Sequence, residues 1–262
     1  MSRGRSGRGR LSNPRPLLVL AGLLLLWQAA VWLTGVPPYL LPAPLAVGRT
    51  LLASAPLLLD HAAVTLVEIL LGLLGGVLIG SASALAMALL PPLQPWLLPL
   101  LILGQTIPVF ALAPLLVLWF GYGLASKVVM AILIIYFPVA AALFDGLRRT
   151  EAGWLDLART MGATRLRILL RLRLPAALPA FGSGLRIATA VAPIGAVVGE
   201  WVGSSRGLGF LMLHANARLQ IDLMFSALFV LMVMALALYL LVDRALVRLM
   251  PWAPQTLSRT ED

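Results

Sequence analysis

The sequence predicts an all-α integral membrane protein with six transmembrane helices, and its composition and charge pattern are the reason. Hydrophobic residues make up 61% of the 262 residues and charged residues only 11%, with a mean hydropathy of +0.98. No charge stands between Glu68 and Lys127, a run of 58 residues. A chain this apolar cannot bury its side chains in a single core, so a soluble enzyme, a nucleic-acid-binding domain and a disordered protein are excluded.

The first predicted span covers residues 17–36, which are twenty residues without a charge. An α-helix needs about twenty apolar residues to cross the hydrocarbon of a bilayer. The run follows a basic tail, residues 1–16, and is longer than the apolar stretch of a cleavable signal peptide. We therefore expect an uncleaved first span.

Prolines and glycines divide the remaining apolar sequence into further spans. Pro91, Pro92 and Pro95 interrupt the long uncharged run because proline ends helices. A turn at 120–123, with the sequence FGYG, precedes the fourth span. The six predicted spans cover residues 17–36, 62–90, 97–119, 127–146, 178–203 and 223–243. They make one domain over residues 17–250, and residues 251–262 form a second tail.

Basic residues are distributed unevenly between the two sides that six spans define. The segments on the side of the N-terminus hold 15 of the 20 Lys and Arg residues, and those on the other side hold 4. Because cytoplasmic segments of membrane proteins are enriched in basic residues, both termini are predicted to be cytoplasmic. The formal net charge of +10 is thereby explained without nucleic acid.

Residue types that support catalysis or metal binding are scarce. The chain has no cysteine, and His61 and His214 are its only histidines. It also lacks a Gly-x-x-x-x-Gly-Lys-Ser/Thr phosphate loop. We expect no catalytic residue, no metal site and no cofactor on this chain.

The longest polar segment is loop 147–175, which carries seven arginines. Thr150 is expected to cap a short helix, and Gly162 to end it. Thr164 is expected to cap a second short helix, which Pro175 should stop where the chain re-enters the membrane. Composition alone equally allows a basic amphipathic loop that lies on anionic lipid.

Spacing within this loop resembles the cytoplasmic signature of the inner-membrane permease subunits of ABC importers. That signature runs Glu-Ala-Ala, three residues, Gly, nine residues and Ile-x-Leu-Pro. The matching residues here are Asp156, Leu157, Ala158, Gly162, Leu172, Leu174 and Pro175. Two residues depart from the pattern, because Asp replaces Glu and Leu replaces the first Ala.

Other motifs resemble the nitrate/sulfonate/taurine-type branch of these permeases. They include Thr65-Leu66 in span two, Gly199-Glu200 in span five and Gly207-Leu-Gly209 after it. Within the branch, residues 108–131 and 195–220 look closest to the permeases assigned to hydroxymethylpyrimidine, a thiamine precursor.

The resemblance implies the six-helix fold of a type I ABC importer permease in a bacterial inner membrane. Two copies of the permease, most simply a homodimer, would form the pathway. ABC ATPase subunits would bind ATP and Mg²⁺ on the cytoplasmic side, and a periplasmic binding protein would deliver the substrate. The segment from about Glu151 to Leu172 would dock on the ATPase, so that ATP-driven closure switches the helices between inward- and outward-facing states.

Polar residues inside a bilayer are costly and are candidate functional groups. The candidates for lining the pathway are Glu68, Gln105, Thr106 and Glu200. Three alternatives stay open: Glu200 pairs with Lys127 as a structural anchor, Glu200 snorkels to the membrane interface, or Glu68 faces another helix and never meets substrate. Arg186 is a structural or gate candidate that should pair with an acid or with the carbonyls of a helix C-terminus.

The residue at position 68 bears on the charge of the substrate. Sulfonate- and taurine-type relatives tend to carry Arg here, which suits an anion. Glu68 would repel a sulfonate but accept a hydrogen bond from the exocyclic amine of an aminopyrimidine. A thiamine-precursor pyrimidine is therefore the predicted substrate, with sulfonate, taurine, nitrate or another small molecule as the alternative.

Two other classes of membrane protein compete with this interpretation. An ion-coupled secondary transporter usually has an internal repeat and an acidic relay near mid-membrane, and the sequence has neither. An integral membrane enzyme would need a His/Asp/Ser constellation, which is also missing from the sequence.

Overall fold

The computed structural model describes residues 15–252, and this part of the chain is built from helices joined by short turns. The α-helices are α1 (Arg15–Thr34), α2 (Pro44–Ala53), α3 (Ala55–Leu89), α4 (Gln94–Thr106), α5 (Val109–Phe120), α6 (Leu124–Arg148), α7 (Ala152–Thr160), α8 (Arg165–Ile168), α9 (Leu174–Gly203), α10 (Leu208–Ala217) and α11 (Ile221–Leu249). A 3₁₀ turn, Pro91–Leu93, precedes α4, and a π-helical turn, Leu169–Arg173, joins α8 to α9.

Four helical segments within residues 15–252 are long and apolar enough to cross a membrane. They are α3, α6, the continuous run from α8 through α9, and α11. A fifth span is reached if α4 and α5 together count as one. The all-α membrane class predicted from the sequence is confirmed, whereas the number six stays a prediction, because four or five spans are found within the described part of the chain.

The third predicted span, residues 97–119, is wrong as a single helix. The chain breaks after Thr106, and the two halves of the span are bent by 103°. Ile107 and Pro108 have extended backbone, with ψ of 122° and 109°. A proline disfavours helical geometry in the residue before it, so Pro108 ends α4 and α5 starts in a new direction.

The ends of other predicted elements also shift. Helix α3 begins at Ala55 rather than residue 62, because Pro56 can occupy the first turn of a helix. Pro175 does not stop a helix, since it lies in the first turn of α9 next to the π turn. Thr150 does not cap α7: the N-cap position is Glu151, whose side chain makes no capping hydrogen bond, and the Thr150 hydroxyl has no hydrogen-bond partner within residues 15–252.

Helix α6 lies between α3 and α9 and forms the centre of the fold. Glycines allow the helix backbones to approach closely, as is typical of membrane helix pairs. A Cβ on Gly80 of α3 would lie 3.0 Å from the Tyr136 carbonyl oxygen, and one on Gly195 of α9 would lie 2.8 Å from Ala131 Cα. We call the end of this bundle that carries α7 and α8 the loop end, and the opposite end the α10 end.

Candidate functional site

A cluster of buried polar residues lies at the α10 end, where α3, α6, α9 and α10 meet. Its members, which we call the polar cluster, are His61, Thr65, Glu68, Lys127 and Glu200. The first three occupy positions i, i+4 and i+7 of α3 and therefore share one face of that helix. Each of the five residues is buried within the single chain.

Glu68 and Lys127 form an ion pair between α3 and α6. Lys127 Nζ lies 3.2 Å from Glu68 Oε1 and donates a hydrogen bond of 2.7 Å to Ser204 Oγ. The lysine side chain is 8% exposed and the glutamate side chain is 0% exposed. The alternative in which Lys127 pairs with Glu200 is therefore wrong, because the acid that the lysine meets is Glu68.

Glu200 anchors the N-terminus of α10. Its carboxylate accepts a hydrogen bond of 2.6 Å from Thr65 Oγ1 and further bonds from the N–H groups of Gly209 and Phe210. The Leu208 N–H donates to Thr65 Oγ1 at 2.8 Å. The first N–H groups of a helix have no partner inside the helix, and its dipole favours a negative charge there. The polar cluster thus supplies the cap that α10 lacks.

Gly207 is required where α10 begins. Its φ is +114°, a conformation that other residues rarely adopt. A Cβ at this position would also overlap the carboxylate of Glu200. Gly207 N–H lies 3.0 Å from Nδ1 of His61, and Arg206 next to it pairs with Asp60. The loop before α10 is therefore held to α3 on both sides of this residue.

The four candidate pathway residues fall into two groups. Glu68 and Glu200 lie in the polar cluster, and Glu68 faces α6, as one of the open alternatives holds. Gln105 and Thr106 are exposed at the end of α4, and their side chains bond to carbonyls of their own helix. Within the described residues, no hydrogen bond or ion pair joins the two groups. That all four line one vestibule stays a prediction.

The signature residues of loop 147–175 lie on two short helices and the start of α9. Within Ala152–Thr160, α7 buries none of its residues, and Asp156 pairs with Arg159 at 2.7 Å. Gly162 has a φ of +76°, which confirms that it ends the first helix in a left-handed conformation. Thr164 accepts a hydrogen bond from the Arg167 N–H at 3.3 Å, which confirms the second predicted cap.

Residues from the two short helices meet around a groove of about 260 Å³. The groove is lined by Ala158, Met161, Ala163, Arg167, Ile168, Arg171 and Leu172. Two signature residues, Ala158 and Leu172, therefore share one surface. Leu157 is 52% exposed, whereas Leu174 and Pro175 belong to the first turn of α9.

Arg186 pairs with an acid on another helix. Its Nε lies 2.6 Å from Asp243 Oδ1, so the pair links α9 to α11. The two side chains are 30% and 36% exposed in the single chain. The partner of Arg186 is thus an acid, one of the two kinds of partner that the sequence predicts, although the sequence does not indicate Asp243 in particular.

Most contacts of the polar cluster were missed because they join distant parts of the chain. Asp60, Ser204 and Arg206 were not identified as functional residues. One signal was available, since the i, i+4, i+7 spacing of His61, Thr65 and Glu68 places three polar residues on one face of an apolar helix.

Comparison with known proteins identifies the family. The family model for the "Binding-protein-dependent transport system inner membrane component" matches residues 72–253. A probable ABC transporter permease protein of Haemophilus influenzae is 59% identical over 229 residues, which cover 87% of this chain and 94% of that protein.

The names of the relatives state several different substrates, among them a formylaminopyrimidine, riboflavin and taurine. The formylaminopyrimidine transport permease protein ThiX of Halalkalibacterium halodurans is 37% identical over 238 residues, covering 90% of this chain and 95% of that protein. The riboflavin transport system permease protein RibX of Chloroflexus aurantiacus is 39% identical over 231 residues, covering 86% of each chain. These two proteins are nearly equally similar to this chain, but their names state different substrates.

A solved structure shares the fold. The inward-facing MetNI methionine ABC transporter contains a chain that superposes with a TM-score of 0.65 at 20% identity, covering 75% of this chain and 97% of that chain. This likeness confirms the type I importer permease fold. The chain is a non-catalytic, multi-pass membrane subunit. With its family model and its relatives in agreement, it belongs to the inner-membrane permease components of binding-protein-dependent ABC importers.

Proposed function

We propose that this chain forms the translocation pathway of an ATP-driven importer whose substrate is a thiamine-precursor pyrimidine, and that loop 147–175 couples it to the ATPase. We call this segment the coupling loop. The observation that carries the coupling role is the exposed apolar surface of the loop, because it requires a covering partner.

Helix α7 and the residue after it expose large apolar side chains. Trp154, Leu157 and Met161 are 58%, 52% and 78% exposed. Arginines border the adjoining groove, so a partner with apolar side chains and carboxylates would complement it. An ATPase subunit fits this description, whereas anionic lipid is the competing partner.

The charge pairing at the α10 end supports an uncharged or weakly basic substrate. Lys127 is paired with Glu68, and Arg206 is paired with Asp60. An anion such as taurine or nitrate is normally bound by a free Arg or Lys.

The remaining parts of the proposal follow from the same assembly. Two copies of the chain would enclose the pathway, a periplasmic binding protein would deliver the substrate, and both termini would lie in the cytoplasm, as the excess of basic residues on that side indicates. The chain itself would bind no cofactor, since ATP and Mg²⁺ would be held by the ATPase.

Reconstituted uptake tests the proposal. Vesicles containing the permease, its partner ATPase and its binding protein are given hydroxymethylpyrimidine or formylaminopyrimidine, and riboflavin, taurine and nitrate in parallel. We expect ATP-dependent uptake of a pyrimidine and none of the anions. Uptake of an anion or of riboflavin without any pyrimidine would refute the substrate, and uptake driven by an ion gradient without ATP would refute the importer class.

A further inference from the structure

The coupling loop rejoins the membrane bundle through a π-helical turn, Leu169–Arg173. π turns are rare and often occur at functional positions. One side of this turn is buried, because Leu169 packs in a cluster with Leu147 and Phe144 of α6 and with Ala177 of α9. The opposite side, at Leu170 and Arg171, is exposed. The turn is thus packed onto α6 at the loop end of the bundle.

Arg173 makes a hydrogen bond across this junction. Its Nε donates to the Leu147 carbonyl oxygen at 3.0 Å, and Leu147 lies in the last turn of α6. Carbonyls in the last turn of a helix have no partner within the helix. The Arg149 backbone N–H donates to the carbonyls of Asp145 and Gly146. The next carbonyl, that of Leu147, receives its donor from the Arg173 side chain.

Two physical effects strengthen this bond. Leu147 is fully buried, which keeps water from replacing the arginine as a donor. A positive charge at the C-terminus of a helix is also favoured by the helix dipole. A charged hydrogen bond of this kind changes an equilibrium constant by about tenfold or more.

The helix backbones touch beside the arginine. A Cβ on Gly146 would lie 3.0 Å from both Cα and Cβ of Ala177, so α6 and α9 approach at contact distance here. Both ends of the coupling loop are therefore attached to one packed unit. Within the same loop, by contrast, Ala152–Thr160 buries no side chain.

We propose that Arg173 is the positioning residue that fixes the coupling loop to the C-terminus of α6, at the loop end of the bundle. With this bond in place, α6 and α9 move as one body when the loop is displaced. This inference rests on the proposed coupling role of the loop and adds the residue that holds the α9 end of the loop to the end of α6. Without the bond, the end of the loop that enters α9 would be held to α6 by the packing of Leu169 and Ala177 alone.

Substitutions at position 173 in the complete transporter test the proposal. Arg173→Gln, Arg173→Lys and the control Arg248→Gln, an exposed arginine at the end of α11, are compared for ATPase binding, ATP hydrolysis and substrate imported per ATP. We expect Arg173→Gln to bind ATPase and hydrolyse ATP but to import about tenfold less substrate per ATP. Arg173→Lys, which keeps a charged donor, should recover most of that ratio, and the control should match the wild type.

The import ratio separates positioning from a merely structural role. A structural residue would lower the amount of folded transporter without changing substrate imported per ATP. A normal ratio in Arg173→Gln overturns the positioning role but leaves the proposed function intact. If the unaltered chain does not bind an ATPase, it is the proposed function that fails.

Engineered cysteines give a second, independent test, because the chain has no cysteine of its own. Gly146→Cys combined with Ala177→Cys places two thiols at the α6–α9 contact, where an opening of about half an ångström reaches the Cβ separation of a disulfide. If α6 and α9 move as one body, the oxidised protein transports within about twofold of the reduced one. Loss of transport on oxidation, reversed by reduction, overturns the proposal.

Discussion

Lys127 Nζ lies 3.2 Å from Glu68 Oε1, and this ion pair joins the first turns of α6 to the buried face of α3. Neither side chain is more than 8% exposed. Burial makes each charge dependent on the other, because an isolated ion in a low-dielectric environment is strongly disfavoured. The pair, together with Glu200, therefore fixes how three spans and α10 meet.

Removing one member of this pair should destabilise the protein strongly. We expect Lys127→Met to lower the free energy of unfolding by about 3–5 kcal/mol, since Glu68 is left buried without its partner. The double variant with Glu68→Met should regain most of the loss, because it leaves no buried charge. Thermal unfolding in detergent measures both, and a double variant as unstable as the sum of the single ones would contradict this account.

The carboxylate of Glu200 should control the order of α10. We expect Glu200→Ala to speed amide hydrogen exchange in residues 207–217 by about tenfold or more, because the N–H groups of Gly209 and Phe210 lose a buried acceptor. Thr106→Ala is the control, since it removes an exposed hydrogen bond within α4. Unchanged exchange in the Glu200 variant would show that α10 is held by packing alone.

Features that depend on neighbouring residues could be predicted from the sequence. The left-handed conformation of Gly162 and the cap made by Thr164 involve contacts within a few residues, and both are observed. The apolar runs likewise predict most of the long helices, because a helix of sufficient length is required wherever the chain crosses lipid.

Features that depend on packing between helices could not be predicted. Lys127 and Glu68 meet only because α3 lies against α6. Composition does not indicate which residues of two packed helices lie opposite each other. The bend between α4 and α5 was missed for a different reason: both halves are apolar and pass together as one span, so hydropathy is continuous across Pro108 although the helix is not.

A side chain at position 162 should uncouple ATP hydrolysis from transport. Gly162 has a φ of +76°, which costs a residue with a side chain about 1–2 kcal/mol, and a β-branched residue more. We expect Gly162→Val to insert and bind ATPase but to import about tenfold less substrate per ATP. Gly153→Ala is the matched control, because it adds a methyl group to the same loop in open space and ordinary helix geometry. Normal coupling in Gly162→Val would exclude the loop as the coupling element.

The ion pair of Arg186 and Asp243 should hold α9 against α11. The two side chains are only 30% and 36% exposed and their charged atoms lie 2.6 Å apart, so Asp243→Asn leaves an arginine unpaired between two spans. We expect it to lower stability by about 1–2 kcal/mol, less than for a fully buried pair because both side chains are partly exposed. Exchanging the charges, Arg186→Asp with Asp243→Arg, should restore most of the melting temperature, and Arg244→Gln, an exposed neighbour, should leave it unchanged. A charge-exchanged protein no more stable than Asp243→Asn would mean that the two residues do not depend on each other.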